Sequence, residues 1–166
     1  MKKVKLIIVI SCMLATCFNL FASTNKLLTP SVKDSLTPQK LLEEFSLFYE
    51  FQKQGDYKSA YPHGWNVVNN NPTNFLQYKP FKKMEVCIWY MYDSVATTED
   101  EKKIIADTAI AFYDLAIQYK EEEETSGYFI ARKAYVMEMW LKSDFKEVIA
   151  MYELAMQTNP NFDSYY

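Results

Sequence analysis

Two stretches of the chain carry one pattern, 88 residues apart. Gly55–Pro72 reads GDYKSAYPHGWNVVNNNP, and Ser143–Pro160 reads SDFKEVIAMYELAMQTNP. The shift places Asp56 on Asp144, Tyr57 on Phe145, Lys58 on Lys146, Asn71 on Asn159 and Pro72 on Pro160, with Glu50 on Glu138 upstream. Asp offers a side-chain oxygen to the free N–H groups at a helix start. The residue before a proline is pushed out of the α region, so Asn-Pro ends a helix. A chain that repeats such a start and stop is built from recurring helical units, none of which can bury its apolar face alone.

Composition points the same way. Only three of the 166 residues are glycine, too few for the positive-φ turns of a turn-rich β protein. Ala, Met, Lys and Glu are plentiful and favour helix. No segment sustains period-two alternation. Apolar steps of three and four, with caps and breakers, predict six helices. They run about Pro38–Gln54, Tyr57–Asn70, Phe81–Ala96, Glu99–Glu122, Tyr128–Leu141 and Phe145–Thr158, in three antiparallel pairs. Thr37-Pro38 opens the first, because Thr caps and Pro suits the first helical position. Gly55 suits the left-handed cap that closes it. The third is apolar nearly all round and should be buried between neighbours. Ile105, Ala109, Phe112, Ala116 and Tyr119 form the inner stripe of the fourth. Pro62 and Gly64 lie inside the second, which is expected either to distort or to restart at Pro62. Glu121–Glu124 reads as a solvated helix end, and Ser126-Gly127 as a break.

This pattern resembles the tetratricopeptide repeat, a 34-residue helix–turn–helix. That family places a small residue 12 before the closing proline; Ala60 and Val148 stand 12 before Pro72 and Pro160. It expects an aromatic eight before; Tyr152 fits and Gly64 does not. Ala109, Tyr113 and Ala116 reproduce the small–aromatic–small steps of a second helix. Phe48 departs, since a small residue is preferred there. The middle unit is about 20 residues too long, a count from the sequence. The resemblance implies an all-α, right-handed solenoid of about three pairs over 38–166, with units near 38–74, 75–128 and 129–162. A plain six-helix bundle is the alternative. No polar capping helix follows Pro160, so either the chain continues in a longer protein or Tyr165 and Tyr166 cover the last apolar face.

In that family, first helices line an inner groove. The resemblance therefore assigns partner binding to Phe45, Tyr49, Gln52 and Lys53 in the first unit, and to Lys133, Met137 and Trp140 in the third. Met84, Ile88 and Met91 are the candidates of the middle unit. The family's Lys/Asn/Arg clamp for a peptide carboxylate is not reproduced.

The first 22 residues read as a secretory signal peptide. Lys2, Lys3 and Lys5 precede the apolar run Leu6–Ala15, and Ala22 offers a cleavage site. Two alternatives stand: an uncleaved anchor, and a lipoprotein, since Leu14-Ala15-Thr16-Cys17 resembles a lipobox that would lipidate Cys17. Residues 23–37 form a polar linker with two Thr-Pro steps. Loss of the leader lysines leaves 15 basic against 21 acidic residues, a poor match to nucleic acid or anionic lipid. Cys87 is then the lone cysteine, in the apolar run VCIWYMY, where thiols are inert. His63 is the single histidine, beside Trp65, and reads as structural. No HExxH, CxxC, GxSxG, phosphate loop or EF-hand spacing occurs.

The expectation is a non-enzymatic scaffold without cofactor or metal. It would be exported to a bacterial periplasm or outer envelope and bind a protein or peptide. The sequence also admits an accessory part of a longer envelope protein, and a small-molecule binder with a pocket among Trp65, Trp89 and Trp140.

Overall fold

A computed structural model describes residues 36–119 and 125–159. The expected leader with Cys17 and Ala22, most of the expected linker, the Glu121–Glu124 run, Tyr165 and Tyr166 lie outside the described residues.

Every described element is helical, and no strand occurs among the described residues. Helix α1, Pro38–Gln54, starts as expected: the Thr37 hydroxyl accepts from Lys40 N–H at 3.3 Å, with Pro38 at the first position. Gly55 closes it at φ 76, a conformation cheap only for glycine, and donates to the Gln52 carbonyl at 3.1 Å. Helix α2, Tyr57–Asn70, is capped by Asp56, whose carboxylate accepts from Ser59 N–H at 3.1 Å. Pro62 does not restart this helix, which runs through it. The ring stands on the exposed side, where the carbonyl it leaves unpaired can reach water.

Pro72 ends α2 but also opens a 3-10 segment, Pro72–Tyr78, that the sequence reading lacks. Helix α3, Pro80–Tyr90, then turns into a π turn, Met91–Val95, closed by Ala96 N–H on the Met91 carbonyl at 2.8 Å. Helix α4 spans Glu99–Tyr119. Its start is a reciprocal cap: Thr98 Oγ1 accepts from Glu101 N–H at 3.2 Å, and Glu101 Oε2 accepts from Thr98 N–H at 3.1 Å. Helix α5, Thr125–Tyr135, begins three residues before the expected Tyr128 and also ends in a π turn, Val136–Trp140. Ser126-Gly127 is thus the first turn of a helix, not a break. Helix α6, Phe145–Thr158, is capped by Asp144, which accepts from Lys146 N–H at 2.9 Å.

Some element lengths recur along the chain. Helices α2 and α6 are each 14 residues long and start 88 apart. The α3 and α5 units match residue for residue at a shift of 45: 11 residues of α-helix, then five of π turn.

Successive helices pack antiparallel. Between α1 and α2, Glu44 reaches His63 and Asn66, and Phe51 stacks on His63. Between α2 and α3, Tyr57 meets Tyr90. Between α3 and α4, Phe81 meets Tyr119 and Trp89 meets Tyr113. The small residues expected at crossings, Ala60, Ala109, Ala116 and Val148, are all buried. Gly64 explains the missing aromatic of the repeat. A Cβ there would lie 2.4 Å from Met84 Sδ and 2.8 Å from the Phe48 ring. The bulk has moved to Phe48 on α1 and Met84 on α3, and α2 supplies the gap between them. The main core joins α1 to α5 around Phe48, Phe81, Met84, Phe112 and Phe129; α6 closes a smaller cluster with Ile130, Ala131 and Ala155.

Candidate functional site

The odd-numbered helices run parallel and touch one another in order. From α1, Phe45 stacks on Phe75 at 4.2 Å and lies 5.2 Å from Tyr78, while Tyr49 lies 5.6 Å from Lys83 Nζ. One turn on, Gln52 Nε2 donates to the Lys83 carbonyl at 2.9 Å. From α3 to α5 the partners advance in step: Glu85 meets Arg132, Trp89 meets Tyr135, and Tyr92 meets Trp140. The last pair joins the two π turns, with ring centroids 3.7 Å apart and 3° between planes. A π turn shifts the side chains after it relative to a regular helix. Here two such turns, 45 residues apart, bring Tyr92 and Trp140 face to face.

The residues expected at the binding face divide into two sets. Tyr49 and Lys53 are exposed on α1, and Phe45 and Gln52 are half-buried beside them. Lys133 bonds Asp114 of α4 at 2.5 Å, and Met137 and Trp140 are half-buried on the second π turn. Met84, Ile88 and Met91, by contrast, are fully buried core and cannot line a groove. The reason is the flanking packing: α3 packs against α2 and α4 and its side chains also reach α1 and α5, so little of its surface is free, and its exposed positions are Val86 and Tyr90. Of the three tryptophans, Trp89 and Trp140 lie 4.8 Å apart, whereas Trp65 is buried against Tyr61 and Phe112.

Behind this face stands a polar cluster that the sequence reading missed. Glu85 is buried at 5% exposure within the apolar run of α3. Its Oε1 accepts from Tyr113 O–H at 2.7 Å and Arg132 Nε–H at 2.7 Å, and its Oε2 accepts from Tyr128 O–H. Trp89 Nε1–H donates to the Tyr113 oxygen at 3.0 Å, and the Arg132 guanidinium lies 3.9 Å over the Trp89 ring. Burial, reinforced by the Glu85 charge, holds the Tyr113 phenol well above its ordinary range, so it stays a donor. Burial alone would weaken the Arg132 cation, but the Glu85 carboxylate outweighs it and raises its pKa. A buried carboxylate with this many donors is a fully satisfied pin between α3, α4 and α5. Its signal in the sequence was Tyr128 and Arg132, four apart on one helix face, opposite a lone acid in an apolar run.

A second cluster ties α1 to α2. Glu44 Oε2 contacts His63 Nδ1 at 2.6 Å and accepts from Asn66 Nδ2 at 2.8 Å; Lys40 lies 3.6 Å from Oε1. Burial pushes the Glu44 carboxyl up, yet the hydrogen bonds of Asn66 and His63 and the nearby Lys40 ammonium outweigh it and leave it below its ordinary range. The sequence reading of His63 as structural agrees with this placement. Cys87 is buried, and burial pushes its thiol up to about 12.

Among the described residues, no helix is long and apolar enough to cross a membrane. No family model, curated protein or solved structure matches the chain.

Proposed function

We propose that the chain is an exported protein-interaction scaffold of tetratricopeptide type, a right-handed stack of about three hairpins. It receives a protein or peptide segment along α1, α3 and α5, in a bacterial periplasm or outer envelope. The observation that carries this reading is the parallel contact of those three helices in chain order, from Gln52–Lys83 to Tyr92–Trp140. Hairpins whose first helices lie side by side offer one continuous face. Tyr49 and Lys53 at one end and Met137 and Trp140 at the other give it aromatic, thioether and cationic groups; Lys133, the remaining residue the resemblance assigns to it, is engaged by Asp114. Such a mixture suits an extended segment with apolar and acidic side chains. The residues behind the face are held by Glu85 and Gln52, so little ordering is needed on binding.

The test is capture from envelope extract, followed by binding of the captured protein to a Tyr49→Ala/Trp140→Ala variant. The variant is expected to keep its helical circular dichroism and lose the partner. Retention of the partner by a folded variant contradicts the assignment of this face.

A further inference from the structure

Helix α6 carries two apolar lines where a surface helix ordinarily carries one. The first, Val148 and Ala155, is buried, with Met151 and Tyr152 packed beside it against α5. The second lies next to it and faces outward: Phe145 is 74% exposed, Ile149 38% and Met156 57%. Tyr152, half-buried between the two lines with its hydroxyl donating to Glu138 Oε2 at 3.0 Å, completes the spacing of the second. The positions 145, 149, 152 and 156 are spaced four, three, four. That is the seam of a coiled coil over two heptads, with Phe145 and Tyr152 at d and Ile149 and Met156 at a.

The charges beside the seam specify what fits it. Lys146 and Glu153, both exposed, occupy the two e positions, and the g positions are Val148 and Ala155, already buried on α5. In a parallel pair, e residues face g residues and neither charge finds a partner. In an antiparallel pair about a two-fold axis, e faces e. Lys146 of one helix then meets Glu153 of the other, twice. In that arrangement Phe145 layers on Met156 and Ile149 on Tyr152, so each bulky ring faces an aliphatic side chain. A surface complementary to itself in both shape and charge is the mark of an isologous contact.

We propose that α6 of one chain docks antiparallel on α6 of a second copy, forming a reversible homodimer through the Phe145–Ile149–Tyr152–Met156 seam. This leaves the α1–α3–α5 face free and does not depend on what that face binds.

Sedimentation velocity of the full chain over a concentration series tests it. The expected result is a rise from one 19.5 kDa chain to two. Ile149→Glu is expected to return a single chain with unchanged helical circular dichroism. Lys146→Glu places like charges together and is expected to weaken association by about tenfold or more. Lys146→Glu with Glu153→Lys exchanges the signs and is expected to restore it. A full chain that stays single throughout, a dimer that Ile149→Glu leaves intact, or a double reversal no tighter than Lys146→Glu each overturns the proposal. So does a chain shortened after Asn159 that dimerises when the full chain does not, because residues 160–166 would then be the occupant.

Discussion

At the scale of single residues, two buried carboxylates decide how three of the helix contacts are fixed. Glu85 is the more demanding. Truncation to Ala leaves the Arg132 guanidinium, 18% exposed, beside a cavity instead of its carboxylate. Breaking a buried pair from one side costs about 3–5 kcal/mol. We expect Glu85→Ala to lose that much in urea denaturation, far more than a surface Glu→Ala such as Glu50→Ala, exposed on α1 away from its caps, which should lie within about 0.5 kcal/mol of the parent. Glu44 makes a prediction about pH. Its folded pKa lies below the unfolded one. Its contribution is therefore present above the ordinary carboxylate range and is lost as pH falls through that range toward the lowered value. Glu44→Gln is expected to be less stable than the parent at pH 7, with the gap closing on acidification. A gap that fails to close as pH falls through the ordinary carboxylate range contradicts the reading of Glu44 as a carboxylate held by Asn66, His63 and Lys40.

At the scale of elements, the helix starts and stops are local chemistry, and the crossings are not. Asp56 and Asp144 each cap a helix, 88 residues apart, the first on Ser59 N–H and the second on Lys146 N–H. Asp56→Ala and Asp144→Ala should each cost about 1 kcal/mol of thermal or urea stability. Gly64 behaves in the opposite sense to an ordinary helical glycine, where Ala would be favoured by about 1 kcal/mol. Its Cβ space is taken by Met84 and Phe48, so Gly64→Ala is expected to destabilise by about 1–3 kcal/mol. The limits of α1, α2 and α6 were legible because Thr37-Pro38, Gly55-Asp56, Asn71-Pro72 and Asp144 write them within a few residues. The π turns were not, because a π turn keeps helical composition and differs only in which carbonyl each N–H meets. The 3-10 segment was hidden by Pro72, which reads equally as the end of one helix and the first residue of the next element. The buried state of Met84, Ile88 and Met91 depends on neighbours far away in sequence, so their side-chain type alone left core and groove indistinguishable. The Glu85 cluster spans 43 and 47 residues to Tyr128 and Arg132, so the two local signals, a lone acid in an apolar run and a Tyr–Arg pair four apart, carry nothing that joins them.

At the scale of the whole molecule, the proposed function rests on one arrangement: α1, α3 and α5 side by side, with their free side chains on a common face. The second-helix side and the outer line of α6 are separate surfaces, the latter assigned to self-association. A footprint of the chain with and without its captured partner distinguishes them. The most direct measurement is carbene labelling read by peptide mass spectrometry. On partner binding, labelling is expected to fall at Tyr49, Lys53, Met137 and Trp140, and to stay unchanged at Lys58, Ala150 and Leu154 on the exposed sides of α2 and α6. Protection centred on α2 and α6, with Tyr49 and Trp140 still labelled, would contradict the account.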